Sequence, residues 1–165
     1  MRGSDALSKL RYDDVPIAES VAVKELLEEV ASKFSELDES LVRRKTLQVL
    51  AKLVKERRPD MLEVPRDGFC PVCGSPSPLG YLDSNGALWL MCPMCGATWR
   101  VHRVKCPYCS SEETWFKRDL FAPWIRVYGC DKCGHNWIVV DEKEESYPGI
   151  PREAYWLILK RYMGA

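Results

Sequence analysis

The residues of this chain most able to do chemistry are its thiols. All eight cysteines fall in four Cys-x-x-Cys pairs: Cys70 with Cys73, Cys92 with Cys95, Cys106 with Cys109, and Cys130 with Cys133. A Cys-x-x-Cys pair at a tight turn brings two sulfurs into one space. Two such knuckles make a tetrahedral four-sulfur site suited to Zn2+ or to a single iron. The spacers decide which pairs combine. Eighteen residues separate Cys73 from Cys92 and twenty separate Cys109 from Cys130, each enough for a β-hairpin, whereas the ten between Cys95 and Cys106 are short for one. The expectation is therefore two metal ions in tandem, each held tetrahedrally by four cysteines, with zinc the first candidate and iron the alternative.

Competing thiol chemistry fits less well. Disulfides belong to oxidising compartments, and Met1-Arg2-Gly3-Ser4 is followed by no apolar stretch of the kind an export signal needs. A redox dithiol is one Cys-x-x-Cys beside a βαβ pattern, not four in a strand-rich run. His102 and His135 each lie near a knuckle, but four thiolates already complete a tetrahedron, so a supporting or surface role is expected of both. A site closed by four sulfurs has no position for a reacting water. The chain also carries no His-Glu-x-x-His motif, no glycine-rich phosphate loop and no recognisable nucleophile–base set. No catalytic residue is assigned, and the expectation is a binding protein rather than an enzyme.

Charge narrows the partners. Lys and Arg number 24, as do Asp and Glu, for a formal net charge of zero. No global basic field points at nucleic acid, although Arg100, Arg103 and Lys105 form a modest basic strand and Arg43, Arg44 and Lys45 a basic helical face. No apolar run reaches the roughly 18 residues of a membrane span. A cytoplasmic protein without a membrane partner is expected.

The elements that must position the thiols read as α+β. Residues 1–66 form a helical N-terminal region, with 1–15 polar and loose. A first helix is expected over 16–37, with Pro16 in its first turn and Val23, Leu26, Leu27, Val30, Phe34 and Leu37 as its apolar stripe. A second runs over 38–57, capped by Asp38, with Leu47, Leu50 and Val54 as its stripe and Val49 and Leu53 widening it. Neither is stable alone, so the two should pair and pack on the metal modules or on another subunit, which leaves a homodimer open. Residues 67–104 form a first rubredoxin-like or zinc-ribbon module, whose hairpin turns at Asn85-Gly86. Residues 105–140 repeat the plan, with strands at 114–118, 124–128 and 137–140. Trp89, Trp99, Trp115, Trp124 and Trp137 supply the packing mass of the two modules. An acidic turn and a C-terminal helix over 151–163 complete 141–165, that helix being expected to dock on the N-terminal pair.

The order of motifs resembles one family. Cys70-Pro-Val-Cys-Gly-Ser-Pro-Ser-Pro-Leu-Gly80, Leu90-Met-Cys-Pro-Met-Cys95, Thr98-Trp99, then Arg103, Lys105 and Cys106-Pro-Tyr-Cys109 up to Cys130 and Cys133, are similar to the formate dehydrogenase accessory protein FdhE family over roughly residues 69–140. The resemblance implies a helical N-terminal part before two rubredoxin-like modules, with all eight cysteines as metal ligands. It also implies a maturation chaperone that binds the catalytic subunit of a molybdenum or tungsten formate dehydrogenase. About 65 residues precede the first knuckle, where the family has a much larger helical region. A nucleic-acid-binding double ribbon and a rubredoxin-like electron carrier are the alternatives from other classes.

Overall fold

A computed structural model describes residues 6–163. The chain forms two compact units. The first comprises Met1–Val64, Phe69–Pro76 and Cys92–Trp99, and the second Pro65–Gly68, Ser77–Met91 and Arg100–Ala165. The run 67–104, read from its spacing as a first module, thus contributes its two knuckles to the first unit and its hairpin to the second.

The first unit is built on a helical hairpin, α1 (Val21–Lys33) and α2 (Glu39–Arg57). Asp38 caps α2 as expected, its carboxylate accepting the Leu41 N–H at 2.8 Å. The first helix is shorter than its periodicity suggests. Ile17–Glu19 form a separate 3-10 turn, and Ser20 adopts an extended ψ of 142° before α1 begins. Pro16 therefore opens the 3-10 turn and not the α-helix. α1 also ends early, so Phe34 and Leu37 are exposed. Val23 is buried, but Leu26, Leu27 and Val30 are only half-buried. A cleft of about 210 Å3, lined among others by Leu27, Ala31, Val42 and Leu47, lies along this helical pair. On α2, Leu47, Leu50 and Val54 are buried as expected, whereas Val49 is exposed.

The segment read as loose is anchored where it is described. Leu7 and Leu10 are buried, and the Arg58 guanidinium donates to both of their carbonyls, at 3.2 and 2.8 Å. Met1–Asp5 lie outside the described residues. A short helix, α3 (Asp60–Glu63), buries Met61 and Leu62.

The second unit is built on a sheet of strands β1 (Leu79–Leu82), β2 (Leu88–Met91), β4 (Thr114–Arg118), β5 (Ile125–Cys130) and β6 (Asn136–Asp141), in the order β2-β1-β6-β5-β4. β3 (Thr98–Val101) straddles the boundary between the units. Both expected hairpins are present, with Tyr81 opposite Trp89 and Phe116 opposite Tyr128. What joins them is a parallel pairing of β1 with β6, Gly80 opposite Val139. That pairing makes β6 central, and its continuous apolar run Trp137-Ile138-Val139-Val140 is buried on both faces, as interior strands require.

The C-terminal helix, α4 (Tyr155–Met163), follows a 3-10 turn at Arg152–Ala154 and packs on β1 and β6. The expectation that it docks on the N-terminal pair is corrected. Its Tyr155 completes a core of Leu79, Tyr81, Met91, Ile125, Ile138 and Val140. The acidic turn at 141–145 is also more than a solvated stretch. Asp141 is buried and pairs with buried Arg126. Glu142 takes both guanidinium donors of Arg152, at 2.7 and 2.8 Å, and the Tyr155 hydroxyl at 2.8 Å. Burial, then the Tyr147 and Glu142 hydrogen bonds, push the Tyr155 phenol well above its ordinary value.

Candidate metal centres

Each knuckle is closed by the same local device. An N–H four residues on returns to the carbonyl of the first cysteine: Gly74 to Cys70 at 2.8 Å, Gly96 to Cys92 at 3.1 Å, Ser110 to Cys106 at 2.9 Å and Gly134 to Cys130 at 2.9 Å. Closing the loop this way puts the returning residue at positive φ, +82°, +75° and +75° for the glycines. That is why glycine follows three of the four pairs. The third has Ser110 at φ +61°, the one positive-φ non-glycine among the described residues.

The knuckles combine as the spacers suggested. Cys70, Cys73, Cys92 and Cys95 form one set and Cys106, Cys109, Cys130 and Cys133 the other, and in each set the four Sγ atoms lie within 4.8 Å of one another. The nearest approaches are 3.6 Å for Cys70–Cys95, 3.4 Å for Cys73–Cys92, and 3.6 Å for both Cys106–Cys133 and Cys109–Cys130. Zinc–thiolate bonds of ~2.3 Å in a tetrahedron require sulfurs about 3.8 Å apart, so the donor sets fit such an ion. In the first set the N–H groups of Met94 and Cys95 point at the Cys92 sulfur, both at 3.4 Å, and so help to carry negative charge there.

Crowding four thiols makes their protons unequal. In the first set, thiol donors from Cys70, then Cys92 and Cys95, hold Cys73 far below the usual thiol value. Hydrogen bonding to Cys73, Cys92 and Cys95, with burial, drives Cys70 far above it. In the second set the Cys133 N–H, opposed by burial, brings Cys130 to about 7, while burial lifts Cys106 to about 12. Each set thus holds thiols pushed in opposite directions, and four thiolates in one space need a cation to balance them.

The surroundings of the sets differ. In the first, the 3-10 turn lies over the knuckle: Ile17 N–H donates to Pro71 O at 2.7 Å and Ala18 N–H to Val72 O at 2.8 Å. In the second, Tyr108 stands where Val72 stands in the first, two residues past the opening cysteine. Its ring stacks on His135, centroids 4.4 Å apart, and its hydroxyl donates to Ser77 O. A Cβ on Gly68 would come within 2.7 Å of that ring, so the tyrosine needs glycine beneath it.

No family model matches the chain. Curated relatives do. The FdhE homolog of Pectobacterium atrosepticum is 32% identical over 97 residues, 55% of this chain and 31% of that protein. The homolog of Pseudomonas putida is 37% identical over 75 residues, 39% and 24% of the two. FdhE of Escherichia coli O127:H6 is 32% identical over 102 residues, 58% and 33%. The crystal structure of the FdhE protein from Pseudomonas aeruginosa has a similar fold, with a TM-score of 0.53 at 21% identity, over 98% of this chain and 59% of that one.

Over these stretches the chain is similar to FdhE proteins, and its fold is like that of the solved one. It spans about a third of the length of these curated FdhE relatives. The structure gathers all eight cysteines named from spacing into two sets and leaves both histidines outside them. His135 is nonetheless part of the second centre through its stack on Tyr108. Tyr108 and the Arg126–Asp141 pair escaped the sequence reading. For Tyr108 a signal exists: it occupies the x-x of a knuckle, where its ring must lie against the sulfur turn.

Proposed function

We propose that this chain is an accessory factor for maturation of a molybdenum or tungsten formate dehydrogenase, and that it acts by binding the enzyme's catalytic subunit. The observation that carries the reading is a pair of four-sulfur sets, both closed, within an FdhE-like fold. Cys70, Cys73, Cys92 and Cys95 would hold one ion and Cys106, Cys109, Cys130 and Cys133 the other. Zinc is the first candidate and iron the alternative, since both suit tetrahedral sulfur. When bound, a zinc ion cross-links each pair of knuckles and supplies folding free energy on the order of 10 kcal/mol. Four sulfurs leave no position for water, which supports a binding role over catalysis. Among the described residues no helix is long and apolar enough to cross a membrane, and a cytoplasmic site of action is part of the proposal.

Affinity capture from the source organism, followed by mass spectrometry, tests the client. The formate dehydrogenase catalytic subunit should be enriched. Repeated capture without any molybdoenzyme subunit would overturn the reading. Elemental analysis of chain purified without added metal should give two ions per chain. A reversible visible band from bound iron would move the role toward electron transfer.

A further inference from the structure

We propose that the outer edge of β4, together with the turn that follows it, docks an extended, acidic and apolar peptide segment of a partner protein as an added strand. β4 ends the sheet and, among the described residues, pairs with β5 alone. The Asp131 N–H donates to Glu113 O and the Asp119 N–H to Ile125 O, both at 3.0 Å, so 113/131 and 119/125 are hydrogen-bonded pairs. Alternation along an antiparallel ladder then turns Trp115 and Lys117 toward β5 and leaves the N–H and C=O groups of Phe116 and Arg118 on the open side. Such a row is a template for another strand unless something blunts it.

The turn at the end of β4 supplies the apolar part. Leu120 and Phe121 are 90% and 91% exposed. They are not held out by looseness. One Asp119 carboxylate oxygen accepts the N–H groups of Phe121 and Ala122, both at 2.8 Å, and the other accepts the Tyr162 hydroxyl. The tyrosine donor, then those N–H groups, keep that carboxyl below its usual range, and burial followed by the Asp119 bond lifts Tyr162 to about 12. A turn tied this firmly presents two large side chains to water at little further ordering cost on binding.

Charge selects the occupant. Thr114–Arg118 contains two cations and no acid. Arg118 already pairs with Glu144 at 3.2 Å, whereas Lys117 sits 5.3 Å from the Trp115 ring centre with no carboxylate within ion-pair reach among the described residues, so Lys117 is the cation left to meet an acidic partner. A second copy of this strand would bring two unpaired lysines into one two-stranded ladder. A membrane surface would use Leu120, Phe121 and the cations but leave the strand-edge groups unused. A segment alternating carboxylates with apolar residues uses all three features.

The probes are a blocked decapeptide of alternating Val and Glu and its Val–Lys counterpart, titrated into the full chain by calorimetry and amide NMR. The Val–Glu peptide should bind saturably, with shifts centred on the Phe116 and Arg118 amides, and the Val–Lys peptide should not. Arg118→Pro removes an outward donor without touching the β5 ladder, and it should weaken binding at least tenfold, as should the double change Leu120→Ser with Phe121→Ser. Arg118→Lys should bind normally, which separates the edge from the charge. Equal binding of both peptides, undiminished binding by Arg118→Pro, or shifts elsewhere would overturn the proposal. So would retention of the chain on phosphatidylglycerol vesicles through Leu120 and Phe121, or a dimer that Arg118→Pro dissolves, since each names a different occupant.

Discussion

The two cysteine sets share one knuckle geometry and stand in unlike surroundings. The first has three buried cysteines and one half-buried, and the N-terminal 3-10 turn is bonded across it. The second has two buried and two half-buried, and its neighbour is the Tyr108–His135 stack. The bodies around them differ the other way. The first unit rests on a helical pair in which Leu26, Leu27 and Val30 of α1 are half-exposed although Leu47, Leu50 and Val54 of α2 are buried, whereas the second has a sheet core with Leu79, Ile138, Val140 and Tyr155 fully buried. The better-shielded centre thus serves the unit in which one helix keeps a half-exposed apolar stripe. Small bodies short of core use a metal to stand in for it. The more open centre is then expected to contribute less to the folding of its unit.

The strongest way to break that contrast is to remove one ligand from each set. Cys70→Ser should forfeit most of the metal contribution, on the order of 10 kcal/mol, and unfold the helical unit. Cys133→Ser should lose its ion and leave the sheet folded. Native mass spectrometry counts the ions and hydrogen exchange maps the loss. If Cys133→Ser melted the sheet, or Cys70→Ser left the helices protected, the contrast would be wrong. Chelator challenge comes next. The second set should release its ion at least tenfold faster, with Cys109 and Cys133 the first thiols alkylated in a mass-spectrometric time course. Release from the first set ahead of the second would reverse the assignment.

Ala18→Pro tests the shielding directly. It deletes the N–H that donates to Val72 O, at a cost of about 1 kcal/mol. The first ion should then be released severalfold faster and the second at an unchanged rate. Equal acceleration of both would mean that the turn does not shield the first set alone.

Much of this contrast was legible in the residues. Four pairs, their spacers and Asn85-Gly86 were enough for both sulfur sets and both hairpins, because metal knuckles and short turns are local devices. Tertiary choices were not legible. The apolar run at 137–140 fits an interior strand, but nothing in it names β1 as the parallel neighbour. Asp141 reads as one acid among several, and only the fold supplies Arg126. The stripe over Phe34 and Leu37 kept its helical period past the point where α1 ends, since periodicity marks a face and not what covers it.

The two hairpin turns sharpen the comparison on a smaller scale. Asp83 and Asp119 each stand thirteen residues after the opening cysteine of their modules. Asp83 accepts the N–H groups of Asn85 and Ala87 and the Trp89 indole, each at 2.9 Å. Burial opposes its ionisation, but the Trp89 bond, the two N–H groups and Arg152 outweigh it and hold the carboxyl below 3.8. A depressed folded value stabilises the protein above the unfolded value and is lost as pH falls through the folded one. Asp83→Asn should therefore cost about 1 kcal/mol at neutral pH and flatten the acid limb of stability below about pH 4. Urea melts across pH check both, and an unchanged acid limb would place the dependence elsewhere.

The smallest expected effect separates the third knuckle from the other three. Ser110 holds a left-handed φ of +61° where Gly74, Gly96 and Gly134 hold theirs without a side chain. That conformation costs an L-residue about 1–2 kcal/mol, and glycine's greater freedom in the unfolded chain takes back about 0.5–1 kcal/mol. Ser110→Gly should accordingly stabilise the second centre by under about 1 kcal/mol and slow its metal release slightly. The converse change, Gly74→Ser, imports the same strain into the first centre and sets a Cβ 3.0 Å from the Pro16 ring, so it should destabilise by more than Ser110→Gly gains. Thermal melts of the metal-loaded chain decide the signs. A destabilising Ser110→Gly would mean that the serine side chain contributes to its knuckle more than the strain it imposes, and the second centre would then be held more firmly than its exposure suggests.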